Sequence, residues 1–113
     1  AFAHGGGSFP YIIGRVEKGF FERPDLCAVD NKVNPRSYLG KFYVDSLVHS
    51  KEALTYLINV LGSNSVILGS DYPFPLGEHN PGNTISANPD INDKMKSNLF
   101  NKNALNWLGM ETL

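Results

Sequence analysis

A parallel α/β fold is what this 113-residue sequence predicts. Three observations predict it. Short apolar segments alternate with helical patterns in the order strand, helix, strand, helix, strand, helix. The helical stretches are long enough to cross back over a sheet, which is what parallel βα units require. And the apolar run Val66–Gly69 stops at Ser70-Asp71-Tyr72-Pro73-Phe74-Pro75, a carboxylate followed by two prolines that cannot continue a ladder. A barrel and a doubly wound sheet both satisfy this order.

The first strand is read from residues 1–4, which resemble a strand end, and Gly5, Gly6 and Gly7 follow as a loop able to take up positive φ and approach a ligand closely. From about Phe9 to Phe21 the period is helical: Pro10 suits a first turn, and Ile12, Ile13, Val16 and Phe20 recur three or four apart, weakened by Gly14 and Gly19. Residues 22–34 hold no sustained period and read as a long excursion. Asn34-Pro35 predicts a short capped helical turn, and Phe42–Val48 a strand. Leu54, Leu57, Ile58 and Leu61 occupy i, i+3, i+4 and i+7, which predicts a helix over 51–61 with Ser50 as N-cap and Gly62 as C-cap. After the strand Val66–Gly69 comes a Pro/Gly-rich loop through Asn83. A last helix within 90–108 carries Ile91, Met95, Leu99, Ala104, Leu105 and Leu108, with Gly109 as its stop.

Composition excludes several function classes. Ten basic against eleven acidic residues give a net charge of −1, and the basic ones are scattered, so the electrostatic footprint of a nucleic-acid binder is missing. No apolar run approaches the roughly 20 residues that cross a bilayer, and a cytosolic location is the default expectation. Cys27, the single cysteine, has no second thiol for a disulfide or a shared zinc, and reads as a packed small side chain. No internal repeat is visible. Residues 1–113 read as one segment of one domain. Because the chain begins at Ala1 in what looks like a strand, it is expected to be a piece of something longer.

Asp71 carries the most chemistry. At the C-terminal end of a parallel strand it is placed where α/β enzymes keep metal ligands and proton carriers, although an aspartate before Tyr-Pro also serves to satisfy turn amides.

Phe2-Ala3-His4-Gly5-Gly6-Gly7, Gly14-Arg15, Arg23-Pro24-Asp25-Leu26-Cys27, Tyr38-Leu39-Gly40 and Leu68-Gly69-Ser70-Asp71-Tyr72-Pro73-Phe74-Pro75-Leu76-Gly77-Glu78 follow one another in that order. Through them nearly the whole chain resembles the decarboxylases of the amidohydrolase superfamily. The resemblance implies the C-terminal part, about three βα units, of a (β/α)8 TIM-type barrel, with the three strands as its sixth, seventh and eighth. It implies one catalytic zinc at the mouth of that barrel, with Asp71 as one ligand and the remaining ligands outside this chain. It implies His4 as the catalytic histidine beside the metal, and Asp71 as a proton carrier as well as a ligand. Arg15 would reach the neighbouring site of a homodimer and grip a substrate carboxylate, and Phe74 would pack on the substrate. His49 and His79 match nothing and read as surface residues. Arg23 and Asp25 are expected in structural or dimer contacts. For Arg15 the competing expectation is a surface ion pair with Glu17 or Glu22.

The activity implied is non-oxidative decarboxylation of an aminocarboxymuconate semialdehyde in tryptophan breakdown, with this chain alone inactive. Alternatives are decarboxylation of hydroxybenzoates, hydrolysis of lactones, or a non-catalytic partner role. Three βα units with open strand edges would expose apolar surface, and poor solubility of the isolated chain is expected.

Overall fold

Three strand segments lie side by side, parallel and in chain order. The structure, a computed structural model, describes residues 1–111. Phe2 bridges to Val44: its N–H donates to the Tyr43 carbonyl (2.9 Å) and its own carbonyl accepts from the Asp45 N–H (3.1 Å). Strand β1 (Val44–Asp45) then pairs with β2 (Val66–Ile67), Val44 opposite Val66 and Asp45 opposite Ile67. Each strand is the spatial neighbour of the next, without the reversal of order that marks a doubly wound sheet. The progression is that of a barrel wall.

Helix α1 (Phe9–Glu22) runs unbroken through Gly14 and Gly19, begins with Pro10 in its first turn and buries Ile13. The stretch read as an excursion contains the short helix α2 (Pro24–Cys27), and Pro35–Tyr38 form the expected turn, with the Asn34 side chain accepting from the Arg36 N–H. Helix α3 (Lys51–Leu61) has the predicted bounds. Ser50 Oγ accepts from the Ala53 N–H at 3.1 Å, and Leu54, Leu57, Ile58 and Leu61 form one buried stripe against Val44, Val66, Ile85, Ile91 and Leu99. The Tyr56 hydroxyl ties α3 to α1 through the Pro10 carbonyl. Replacing Ser50 by Ala should cost about 1 kcal/mol, because one first-turn N–H loses its acceptor. Thermal unfolding of the variant beside its parent measures this.

The strands are shorter than the expected Phe42–Val48 and Val66–Gly69, and side chains explain why. Past Asp45 and Ile67 the backbone donors leave the ladder: the Leu47 N–H goes to Asp45 Oδ1 (3.1 Å), and the Gly69 N–H to the buried Ser46 hydroxyl (3.3 Å). Such local acceptors compete with strand pairing. The Leu68 N–H leaves differently, donating to the Leu99 carbonyl at 3.0 Å.

The last helical run is three pieces, α5 (Asp93–Ser97), a π turn (Asn98–Lys102) and α6 (Asn103–Leu108), ending at Gly109 as expected. In the π turn the Asn103 N–H reaches back five residues to the Asn98 carbonyl, which leaves Leu99 O to accept from β2's continuation. The Asn103 side chain, 1% exposed, donates to the carbonyls of Ser63 and Val66, both at 2.7 Å. The π turn, through Leu99, and the first residue of α6, Asn103, therefore hold β2 at both ends. Ile91, Leu99 and Leu105 are buried as predicted, whereas Leu108 is exposed. The Pro/Gly-rich loop hides a further short helix, α4 (Asn83–Ser86), whose Ile85 is fully buried.

Cys27 corrects one expectation: it is exposed at the end of α2 rather than packed. Helix α2 buries none of its residues, and the Cys27 sulfur lies near Gly19 of α1 rather than in the buried cluster around α3. Among the described residues no helix is long and apolar enough to cross a membrane.

Candidate active site

The C-terminal ends of the three strands converge on one rim. His4 follows the Phe2 bridge, Asp45 ends β1, and Asp71 lies four residues beyond β2. There His4 Nε2 and Asp71 Oδ2 stand 2.9 Å apart, although the two residues are separated by 67 positions. The His4 side chain is 64% exposed and that of Asp71 24%, so the pair opens to solvent on the imidazole side.

Both backbones are held in an unusual conformation. His4 has φ 55° and Asp71 φ 53°, the left-handed region that a non-glycine residue seldom enters and that Asp, Asn and His tolerate best. Such residues persist where surrounding contacts over-determine them. For His4 those contacts come from Asp45: Oδ2 accepts from the His4 N–H (2.9 Å) and Oδ1 from the Gly5 N–H (2.8 Å). For Asp71 they come from the turn it opens. The Phe74 N–H donates to the Asp71 carbonyl (2.8 Å), the Gly77 N–H to Phe74 O (2.9 Å) and the Glu78 N–H to Ser70 O (2.9 Å). Gly77 is required by this packing, since a Cβ there would lie 2.6 Å from the Ser70 carbonyl and 3.0 Å from that of Asp71. The Glu78 carboxylate continues outward to the Gly82 N–H and the Thr84 hydroxyl, anchoring the turn on α4.

Of the sequence-predicted site residues, His4 and Asp71 are thus brought together. Among the described residues neither the Arg15 side chain nor the Phe74 ring makes a polar contact with the pair, although the Phe74 backbone N–H donates to the Asp71 carbonyl. Phe74 is exposed beside the Asp71 turn, in a groove with Ser70, Tyr72 and His79, and so does not anchor the core. Arg15 is exposed on α1 and enters no ion pair among the described residues. The acids that could have neutralised it are taken: Glu17 by Arg36 (2.6 Å) and Glu22 by Lys18 (2.6 Å). The Arg36 hydrogen bond, with help from Asn34, holds the Glu17 carboxyl below its usual range. Arg23 and Asp25 form a two-bonded fork with each other. His49 and His79 are exposed, as expected.

Asp45 is the residue that sequence reasoning passed over. Its signal was available, an acid at the end of an apolar segment, the same position that singled out Asp71.

An amidohydrolase family model matches residues 1–110. The chain belongs to the amidohydrolase family. Over 110 residues this amidohydrolase chain is 58% identical to the 2-amino-3-carboxymuconate-6-semialdehyde decarboxylase of Dictyostelium discoideum and 46% identical to that of Caenorhabditis elegans. Both alignments cover 97% of this chain, but 31% and 27% of the relatives, so the chain spans less than a third of their length. Among solved structures, the 5-carboxyvanillate decarboxylase of Sphingomonas paucimobilis superposes with a TM-score of 0.80 at 26% identity, over 96% of this chain and 32% of that one. The winding of consecutive strands agrees with a part of the TIM barrel on which amidohydrolase decarboxylases are built.

The donor set bears on metal chemistry. Among the described residues no three His, Cys, Asp or Glu side chains come together in a way that could hold a metal ion. Catalytic zinc takes three protein ligands. The carboxylate of Asp71 and the imidazole of His4 therefore do not fit zinc by themselves.

Proposed function

We propose that the intact protein is a non-oxidative decarboxylase of 2-amino-3-carboxymuconate 6-semialdehyde, and that this chain supplies the last three βα units of its barrel. The observation that carries the reading is the contact between His4 Nε2 and Asp71 Oδ2 on an open, strand-end rim. Non-oxidative loss of carbon dioxide replaces a C–C bond by a C–H bond, so one proton must be delivered to the carbon that the carboxylate leaves. A hydrogen-bonded imidazole and carboxylate hold such a proton within reach of a substrate. The identity to two relatives named for this reaction supports the substrate.

In this reading Arg15 grips a substrate carboxylate in the neighbouring site of a homodimer, a task for which its guanidinium, unpaired within the described residues, is suited. Phe74 meets the substrate's conjugated face. Zinc is the metal expected, with Asp71 as its ligand from this chain and the others from elsewhere in the barrel. The ordinal placement as sixth to eighth strands rests on the motif around Asp71. A His-x-His segment encoded upstream of Ala1 agrees with it, and the same segment encoded downstream of Leu113 overturns it.

A second reading keeps the proton chemistry and changes the substrate to an aromatic carboxylate, favoured by the superposition on a carboxyvanillate decarboxylase. Incubating the intact protein with each substrate separates the two. Turnover of the semialdehyde at least tenfold above that of hydroxybenzoates, a margin of about 1.4 kcal/mol in barrier, is expected. The reverse preference would replace the first reading by the second.

A further inference from the structure

We propose that Asp45 is a positioning residue for His4: its carboxylate clamps the backbone of the His4 loop and so sets the imidazole against Asp71. Three donors converge on this one side chain. Oδ2 accepts from the His4 N–H at 2.9 Å, and Oδ1 accepts from the Gly5 N–H at 2.8 Å and from the Leu47 N–H at 3.1 Å. The first two link β1 to a loop forty residues upstream, while the third fixes the carboxylate to its own strand. An ionised carboxylate is the side chain that can accept from all three without presenting a donor.

What the clamp holds is otherwise unfavourable. His4 sits at φ 55° and Gly5 at φ 62°, and the His4 ring is mostly exposed, so packing does little to keep it in place. The floor beneath the carboxylate is also shaped for it. At Gly69, on the continuation of β2, a Cβ would come within 2.7 Å of Asp45 Cβ and 3.1 Å of its carboxyl carbon. Gly69 leaves room for Asp45, Asp45 fixes His4, and His4 reaches Asp71. The chain of contacts crosses all three strands at one rim.

The assignment rests on the proposed role of the His4–Asp71 pair, and its test separates the two. In the intact protein, Asp45→Asn exchanges one acceptor oxygen for an N–H donor facing a backbone N–H, whichever way the amide is turned. Gly69→Ala displaces Asp45 by steric contact and leaves its chemistry unaltered. Both variants should lower kcat by about 100-fold, as small misplacements of a reacting group do, with KM changed less than about threefold. Exchange of the His4 and Gly5 backbone amides should accelerate by on the order of tenfold or more while core amides keep their protection.

A folded Asp45→Asn protein with unchanged amide exchange and kcat within about twofold of the parent overturns the positioning role. Should Asp45→Asn fail to fold, Gly69→Ala decides by the same two readouts. If His4→Ala retains full activity, the functional reading of the pair fails, and the amide exchange still tests the clamp.

Discussion

On the proposed function, decarboxylation by the intact protein should fall by about a thousandfold when Asp71 is replaced by Asn, within the range by which positioned acid–base groups accelerate proton transfer. Asn is the informative substitution for a structural reason. Residue 71 lies at φ 53°, a conformation that Asn shares with Asp, and the turn it opens is made by backbone groups of Ser70, Asp71, Phe74, Gly77 and Glu78 that the exchange leaves untouched. The variant should fold and keep its shape. It loses the carboxylate that could accept a proton, while the amide can still meet His4 Nε2. The loss should appear in kcat with little change in substrate binding. His4→Ala should fall by a similar amount, and the double variant by little more, since two residues that act as a unit are not additive. Lys18→Ala, which removes only an exposed ion pair to Glu22, should match the parent. Independent, multiplying losses from His4 and Asp71 would show that the 2.9 Å contact is not a working pair.

The largest stability effect is expected not at an apolar residue but at Asn103. Replacing it by Leu removes both side-chain hydrogen bonds, leaving the buried carbonyl of Val66 and the half-buried carbonyl of Ser63 without their 2.7 Å donors. An acceptor left unpaired in the interior costs about 1–3 kcal/mol, and two of them exceed the cost of most single substitutions. A loss of about 3 kcal/mol in urea denaturation is expected. Asn98→Ala gives the contrast: its side chain bonds Asn64 at the surface, so little should change. Equal effects at the two asparagines would mean that Asn103, at the start of α6, does not anchor β2.

Much of this architecture was legible in the sequence wherever a segment's determinants are local. Helix α3 carries its apolar stripe, its cap Ser50 and its stop Gly62 within a dozen residues, and its bounds follow. Helix α1 was legible in spite of two glycines. One of them, Gly19, leaves a Cβ position 3.6 Å from Cys27 Sγ, an ordinary contact distance, so the approach of α2 does not demand a glycine there. The strand ends were not legible because their limits are set from afar. The Leu99 carbonyl, thirty-one residues downstream, takes the Leu68 N–H, and Ser46 takes that of Gly69. Helix α4 was hidden because four residues have no period to read, and it is held instead by Glu78 and by the buried Ile85.

For the site, the order of motifs placed His4 and Asp71 correctly on one rim, but a carboxylate that bonds only backbone leaves no side-chain partner in the sequence to point to it. Asp45 is such a residue. The expected exposure of apolar surface is present in Phe2, Tyr11, Phe21, Tyr72, Phe74 and Leu76.

The two members of the His4–Asp71 contact come from opposite ends of a stretch that includes two crossovers and the whole of α3. Local structure can form early during synthesis, whereas this meeting must wait for long-range closure. A growing polypeptide thus emerges with its histidine well before the acid that faces it, and the contact forms only once the third strand has been delivered and docked. Truncation anywhere before residue 71 would leave a loop of glycines whose histidine has no carboxylate to meet.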